Sequence, residues 1–197
     1  MNEVNRLAIG AVVLMFAVSV AVYPWLPEVV PIHFDLRGTP DGFASRAFGA
    51  FLLPVISLAL LALLRLKSAA ALATTLVLWF FVGMHVLVLR AALDGAGLGG
   101  ALWVLCGAFF VALGLVLPRV RRNRWVGVRT PWALRSPENW ARTQRIGGQA
   151  MLACGVVVLL TAWGAGPVAL ALRGVAILGA SIVPVAYSWW ASRTLST

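Results

Sequence analysis

The sequence predicts an all-α fold: a polytopic membrane helix bundle of six transmembrane helices, with both termini cytoplasmic. An ordered extracytoplasmic loop joins helices one and two. Three observations carry this. Of 197 residues, 61% are hydrophobic and 11% charged, against about 25% charged in a soluble domain. The apolar residues fall into runs near the roughly 20 residues that a membrane helix needs. The sixteen basic residues, against six acidic ones for a net charge of +10, are confined to the breaks between those runs. That confinement removes the nucleic-acid reading, which needs basic residues spread over a soluble face. The hydrophobicity excludes disorder. A β-barrel would require strands of alternating polarity, which these runs lack.

The first run is Leu7 to Tyr23, followed by Pro24 and Trp25. Arg6 and Ser19-Val20-Ala21 would suit a cleaved signal peptide, but the run is long for one, so we read a span. The second run is Ala47 to Leu64, closed by Arg65 and Lys67; the third is Ala69 to Leu89, closed by Arg90, with Asp94 at its outer end. The fourth is Leu98 to Pro118, closed by Arg119. An uncharged stretch opens at Ile146. Gly164-Ala165-Gly166-Pro167 interrupts it as a helix stop followed by a start. Helix five precedes that break, and helix six runs from Val168 to Trp190. Arg173 falls in the first turns of helix six, where its long stem is expected to reach the interface. The chain then divides into residues 1–66 (the first two helices with a cap at 26–46), 67–118 (helices three and four), 119–145 (a basic cytoplasmic loop) and 146–197 (helices five and six).

Six spans place the N-terminus, the second and fourth loops and the C-terminus on one side. That side holds Arg6, Arg65, Lys67, the eight arginines between 119 and 145, and Arg193, twelve of the sixteen basic residues. The other side holds Arg37, Arg46, Arg90 and Arg173. Cytoplasmic loops carry the Lys and Arg excess, so both termini are read as cytoplasmic. Tyr23, Trp25, Trp189 and Trp190 sit at helix ends, as interfacial aromatics do. The arginine cluster also attracts anionic lipid, at about 1 kcal/mol per basic residue near the surface.

The segment from Trp25 to Arg46 is too polar to span and too patterned for a slack linker. Its prolines fix φ. Val29 to Phe34 reads as extended, and Leu36-Arg37-Gly38 and Thr39-Pro40-Asp41-Gly42 read as turns. Together they predict an ordered cap. His33 with Glu28, Asp35 and Asp41 is a weak metal-site signal. The other readings are hydrogen bonding within the cap and recognition of an extracellular peptide.

In the basic loop, topology alone accounts for Arg119, Arg121, Arg122 and Arg124. It does not account for Asn123 to Trp132, where apolar, aromatic, Gly and Arg residues interleave as in a packed loop or docking surface. Ser136-Pro137-Glu138 is a helix start, with Ser as N-cap, Pro next and an acid in the first turn. Helix five therefore begins in the cytoplasmic interface, with a bend expected at Gly147-Gly148. Within the spans His85 is the one ionisable residue of the kind that marks ion pathways. It reads first as a helix–helix hydrogen-bonding group. Gln149, Ser57, Thr74, Thr75, Thr161 and Ser181 read as interhelical glue. Cys106 and Cys154 lie on different helices as small buried hydrophobes. No P-loop, His-Glu-x-x-His or Gly-x-Ser-x-Gly pattern occurs, so no catalytic residues and no cofactor are expected.

Two segments carry a family resemblance. Pro27-x-x-x-Pro31-x-His33-Phe34, followed by Gly38-x-Pro40-Asp41, resembles the small outer domain of the SdpI-type bacterial immunity protein family. Asn123-x-x-x-Gly127-x-Arg129-Thr130-Pro131-Trp132, followed by Trp140-x-x-Thr143-x-Arg145, resembles the C-terminal signature of that family. The order and the six-helix frame agree over most of the chain. The resemblance implies a multipass immunity protein of the bacterial plasma membrane that resists a secreted peptide toxin. It also implies a signalling receptor that holds a cytoplasmic repressor at the membrane. On that basis Pro27, Pro31, His33, Phe34, Gly38, Pro40 and Asp41 form the toxin-facing surface. Asn123, Gly127, Arg129, Thr130, Pro131, Trp132, Trp140 and Arg145 form the cytoplasmic docking surface. The sequence departs from the family at Gln144, where members often carry His. The alternatives are a small-molecule transporter or channel, disfavoured by the lack of intramembrane carboxylates, and a membrane accessory subunit.

Overall fold

A computed structural model describes residues 3–65 and 71–194. Lys67 and Ala69, read from sequence as the second loop and the start of the third run, lie outside the described residues. Among the described residues, six helices are long and apolar enough to cross a membrane. They are α1 (Glu3–Val22), α2 (Arg46–Arg65), α3 (Ala71–Asp94), α4 (Gly99–Val116), α6 (Pro137–Leu160) and α7 (Pro167–Thr194). Single 3-10 turns extend α1 over Tyr23–Trp25 and α4 over Leu117–Arg119. An antiparallel hairpin, β1 (Val29–Phe34) and β2 (Pro40–Ser45), separates α1 from α2, and a short α5 (Pro131–Arg135) precedes α6. This is the multipass helix bundle that the composition predicts.

Several boundaries move. α3 continues past Arg90 to Asp94, where Arg90 Nε lies 3.1 Å from Asp94 Oδ2 one turn on, a helix-stabilising spacing. α6 begins at Pro137 because Ser136 Oγ accepts the Asn139 N–H at 3.2 Å, as the Ser-Pro-Glu start predicts. Thr39 to Gly42, expected as a turn, is mostly strand. The reversal is completed earlier, over residues 35–39. There Asp35 Oδ1 accepts the N–H groups of Arg37 and Thr39, both at 2.8 Å, and Gly38 takes φ +80°. Pro31 and Pro40 are tolerated because both strands of a two-stranded sheet are edges.

The chain forms two compact units, residues 1–105 and 106–197. In the first, Ala8, Ala11, Val12 and Met15 of α1 pack against Leu61 of α2 and Leu78 and Val82 of α3. Leu26, Val30, Ala50, Leu89 and Ala92 seat the hairpin on the helix ends. Buried His85 ties this core together: its Nε2 lies 2.9 Å from Ser19 Oγ, which is itself 2.6 Å from Ala50 O and 3.0 Å from Met15 O. The serine proton goes to a carbonyl, so the ring nitrogen donates and His85 is the Nε2–H tautomer. The expected helix–helix role of His85 is met. Ser57, which reaches Met15 Sδ at 3.7 Å, and Thr75, which reaches Val4 O at 3.2 Å, act likewise. Ser181 and Gln149 do not: both are exposed. Ser181 is satisfied within its own helix by Ile177 O at 2.9 Å.

In the second unit, glycines bring α4 and α6 into backbone contact. A Cβ added at Gly155 would lie 2.8 Å from Gly107 O, and one at Gly148 would lie 2.7 Å from Gly114 O. The paired positions are two turns apart on each helix and run in opposite directions. Gly148, expected at a bend, therefore serves close approach inside an uninterrupted helix. Arg173 reaches back to the turn that precedes α7. It is 2% exposed and folds back onto the end of α6. Its guanidinium donates to Thr161 O, to Gly164 O at 2.6 Å and to Thr161 Oγ1 at 3.2 Å. The last carbonyls of a helix lack partners and carry negative partial charge, so the guanidinium caps α6 at the turn between the two spans.

Candidate functional site

The hairpin presents one polar pair. His33 Nδ1 lies 2.5 Å from Asp41 Oδ1, with the two side chains 73% and 47% exposed. The register shift on either side of His33 sets this pairing, with His33 opposite Gly42. A Cβ at Gly42 would come within 2.8 Å of His33 Cβ, so the missing side chain makes room for the ring. Asp35 is committed elsewhere. The Thr39 N–H on its carboxylate, with the N–H and charge of Arg37, holds it below the ordinary carboxylate range. Among the described residues no three His, Cys, Asp or Glu side chains converge as metal ligands do.

The other residues implied by the resemblance build the hairpin. Pro31 and Gly38 are buried, and Phe34 and Pro40 are half-buried. Pro27 is exposed, and its carbonyl accepts from Arg46 Nε at 3.3 Å. Gly38 packs back to back with the α3–α4 turn: a Cβ there would lie 2.6 Å from Gly99 N, and its carbonyl accepts the Leu98 N–H at 2.8 Å. Trp103 Nε1 also donates to Leu36 O at 3.2 Å. The reading from sequence missed this partnership, although the glycines at 95, 97, 99 and 100 were its visible signal. Beneath the hairpin lies a cavity of about 240 Å³ with His33 in its lining.

The arginine-rich segment is held by a polar framework. Asn123 Oδ1 accepts from Trp125 N and Val126 N at 2.7 and 2.8 Å, and its Nδ2 donates to Arg121 O at 2.8 Å. Thr130 caps α5, accepting from Ala133 N at 3.1 Å, and lies 2.5 Å from Ser188 Oγ. Asn139 Nδ2 donates to Ser188 O at 3.0 Å, and Thr143 Oγ1 lies 2.9 Å from Asn139 Oδ1. Buried Trp140 donates from Nε1 to Val120 O at 2.8 Å. Gln144 pairs with both backbone groups of Val128: Oε1 accepts its N–H at 2.9 Å and Nε2 donates to its carbonyl at 3.0 Å.

Asn123, Gly127, Thr130 and Trp140 thus shape the segment. Arg129, Pro131 and Arg145 are exposed, and Trp132 is half-buried. Arg129 Nη1 donates to Arg124 O at 2.8 Å, so it too braces the loop. Glu138, the one acid between 119 and 145, pairs with Arg142 at 2.6 Å. The exposed arginines at 121, 124, 135 and 145 have no ion-pair partner among the described residues. Asn139 and Ser188 were missed as framework residues, and Thr143 stands in the motif without an assigned role. Asn139 and Thr143 follow one another at one-turn spacing, but Ser188 arrives from α7, which only the tertiary structure reveals.

Residues 10–58, which include the hairpin, match a domain of unknown function, DUF1648. Residues 119–188, which include the arginine-rich segment and its framework, match the SdpI/YfhL protein family. The chain is 23% identical over 201 residues to Immunity protein SdpI of Bacillus subtilis (strain 168), covering 94% of each chain. It is 40% identical over 47 residues to Uncharacterized membrane protein YbgB of the same organism, covering 24% of this chain and 52% of that protein. No solved structure matches. The matches fall on the two segments that the sequence singled out, and the chain is similar to an SdpI-type protein over nearly its whole length.

Proposed function

We propose that this protein is an integral membrane immunity protein that protects the cell making it from a secreted antimicrobial peptide. The observation that carries this is the alignment, over 94% of both chains, with a protein named for immunity. The hairpin with His33 and Asp41 faces the cell exterior, where such a peptide arrives. Both termini and the arginine-rich segment face the cytoplasm, in accord with twelve of sixteen basic residues on that side and the positive-inside rule. There the unpaired arginines meet anionic lipid. Arg129, Trp132 and Arg145 offer the contact surface for a cytoplasmic repressor held at the membrane when peptide is bound. The protein acts by binding rather than by catalysis.

Deletion of the gene and complementation, with cells challenged by culture supernatants and purified membrane-active peptides, tests the reading. Complemented cells are expected to survive at least tenfold more peptide than deleted cells. Equal killing across all candidates would overturn it. In the same assay, His33→Ala combined with Asp41→Ala at normal membrane abundance is expected to lose protection.

A further inference from the structure

We infer that the cavity under the hairpin receives the anchor of the incoming ligand. The anchor is one large apolar side chain of a peptide, whose neighbouring amino or amide N–H donates to Asp41 at the mouth. This rests on the reading of the hairpin as the ligand-facing surface. Leu52 and Leu53 of α2, Met84 and Val88 of α3, and Leu98 and Leu102 supply apolar wall. The volume, about 240 Å³, falls below the roughly 300–1,000 Å³ of pockets that hold drug-sized ligands. It therefore suits a single side chain, the kind of buried anchor around which peptide interfaces form.

The mouth decides where the occupant comes from. His33 lines the cavity while its side chain stays 73% exposed and bonded to Asp41. A solvated polar pair at the opening admits a ligand from water. An acyl chain entering from hydrocarbon would bring nothing for that pair to bind. Asp41 uses Oδ1 for His33, and its other oxygen receives no hydrogen bond among the described residues, so a donor or cation is favoured there. Met84 gives the wall an adaptable thioether that suits aromatic rings. Exposed Leu36 and Phe43 extend apolar contact on the hairpin itself.

The four methionines, Met1, Met15, Met84 and Met151, make the test direct. The full chain, labelled with methyl-13C methionine in phosphatidylcholine nanodiscs, is titrated with tryptophan amide, which carries an indole and a free amine. The Met84 methyl resonance, assigned by Met84→Leu, is expected to shift saturably while Met15 and Met151 stay in place. Asp41→Asn is expected to weaken binding at least fivefold, and filling the cavity with Leu102→Trp to abolish it. Leu53→Phe serves where Leu102→Trp does not fold, with undisturbed Met15 and Met151 signals reporting the fold. No saturable shift, an unchanged shift in the filled variant, or equal displacement by octyl glucoside would overturn the inference. Failure of protection with the Met84 titration intact would sink the immunity reading alone; the converse would sink only the cavity.

Discussion

At the scale of single residues, Gln144 shows how one side chain can set a loop. A carboxamide holds an acceptor and a donor side by side, so it engages the N–H and C=O of Val128 together. An imidazole would project its two nitrogens in diverging directions. Gly127 completes the fit. It has φ +107°, and a Cβ there would meet Gln144 Oε1 at 2.7 Å. Gln144→Glu keeps the shape but sets an oxygen against the Val128 carbonyl. It should cost about 2 kcal/mol, within the penalty for an unsatisfied buried group. That corresponds to a fall of roughly 4–8 °C in Tm for a chain of this size, read from tryptophan fluorescence in detergent. Gly127→Ala should be destabilising and non-additive with it, because the two changes share one contact. The sequence showed that Asn123 to Trp132 is packed, since Gly, Pro and Trp among arginines have no use in a solvated tether. The partner sixteen residues on was not legible, because the path of the loop selects it.

At the scale of elements, apolar run length located all six helices, and the Ser136 cap located the start of α6. Arg173 and residues 39–42 were read from their own neighbourhoods, while their conformations are decided by groups elsewhere in the chain: the end of α6 for Arg173, the turn at Asp35 for the strand. Arg173 provides the cleaner test. Its guanidinium satisfies carbonyls at the α6 terminus, an interaction of up to about 2 kcal/mol in partly buried settings. Arg173→Ala is expected to lower Tm by several degrees and to expose the Gly164–Pro167 turn to proteolysis. Arg173→Lys, a point charge without the planar fork, is expected to recover part of the loss. Limited proteolysis with thermal melts of the three proteins would show the order; indistinguishable behaviour would reject the capping role. The α4–α6 glycine pairs were legible only in part. The seven-residue spacing is visible on each helix, but which glycine meets which depends on the antiparallel packing.

At the scale of the whole molecule, composition alone gave the membrane class, and the placement of arginine gave the orientation that we propose. That orientation has a direct check. With Cys106 and Cys154 replaced by Ala, single cysteines are introduced as Arg37→Cys, near the hairpin turn, and Arg124→Cys, in the arginine-rich segment. Both positions are exposed. A membrane-impermeant maleimide is expected to label position 37 in intact spheroplasts and position 124 only after lysis. The reverse pattern would invert the assignment of both surfaces. Composition could not show that most of the resemblance-bearing residues build the fold, leaving Pro27, His33, Asp41, Arg129, Pro131 and Arg145 exposed. That division depends on burial, which a motif does not record.

The contact between Gly38 and the α3–α4 turn has a consequence for timing. The Leu98 amide proton is held by the Gly38 carbonyl at 2.8 Å, and it can trade with solvent deuterium only when the two turns separate. Its exchange rate is therefore a clock for the lifting of the hairpin from the helices beneath it. A ligand that clamps the hairpin down would slow that clock without touching Leu98 itself.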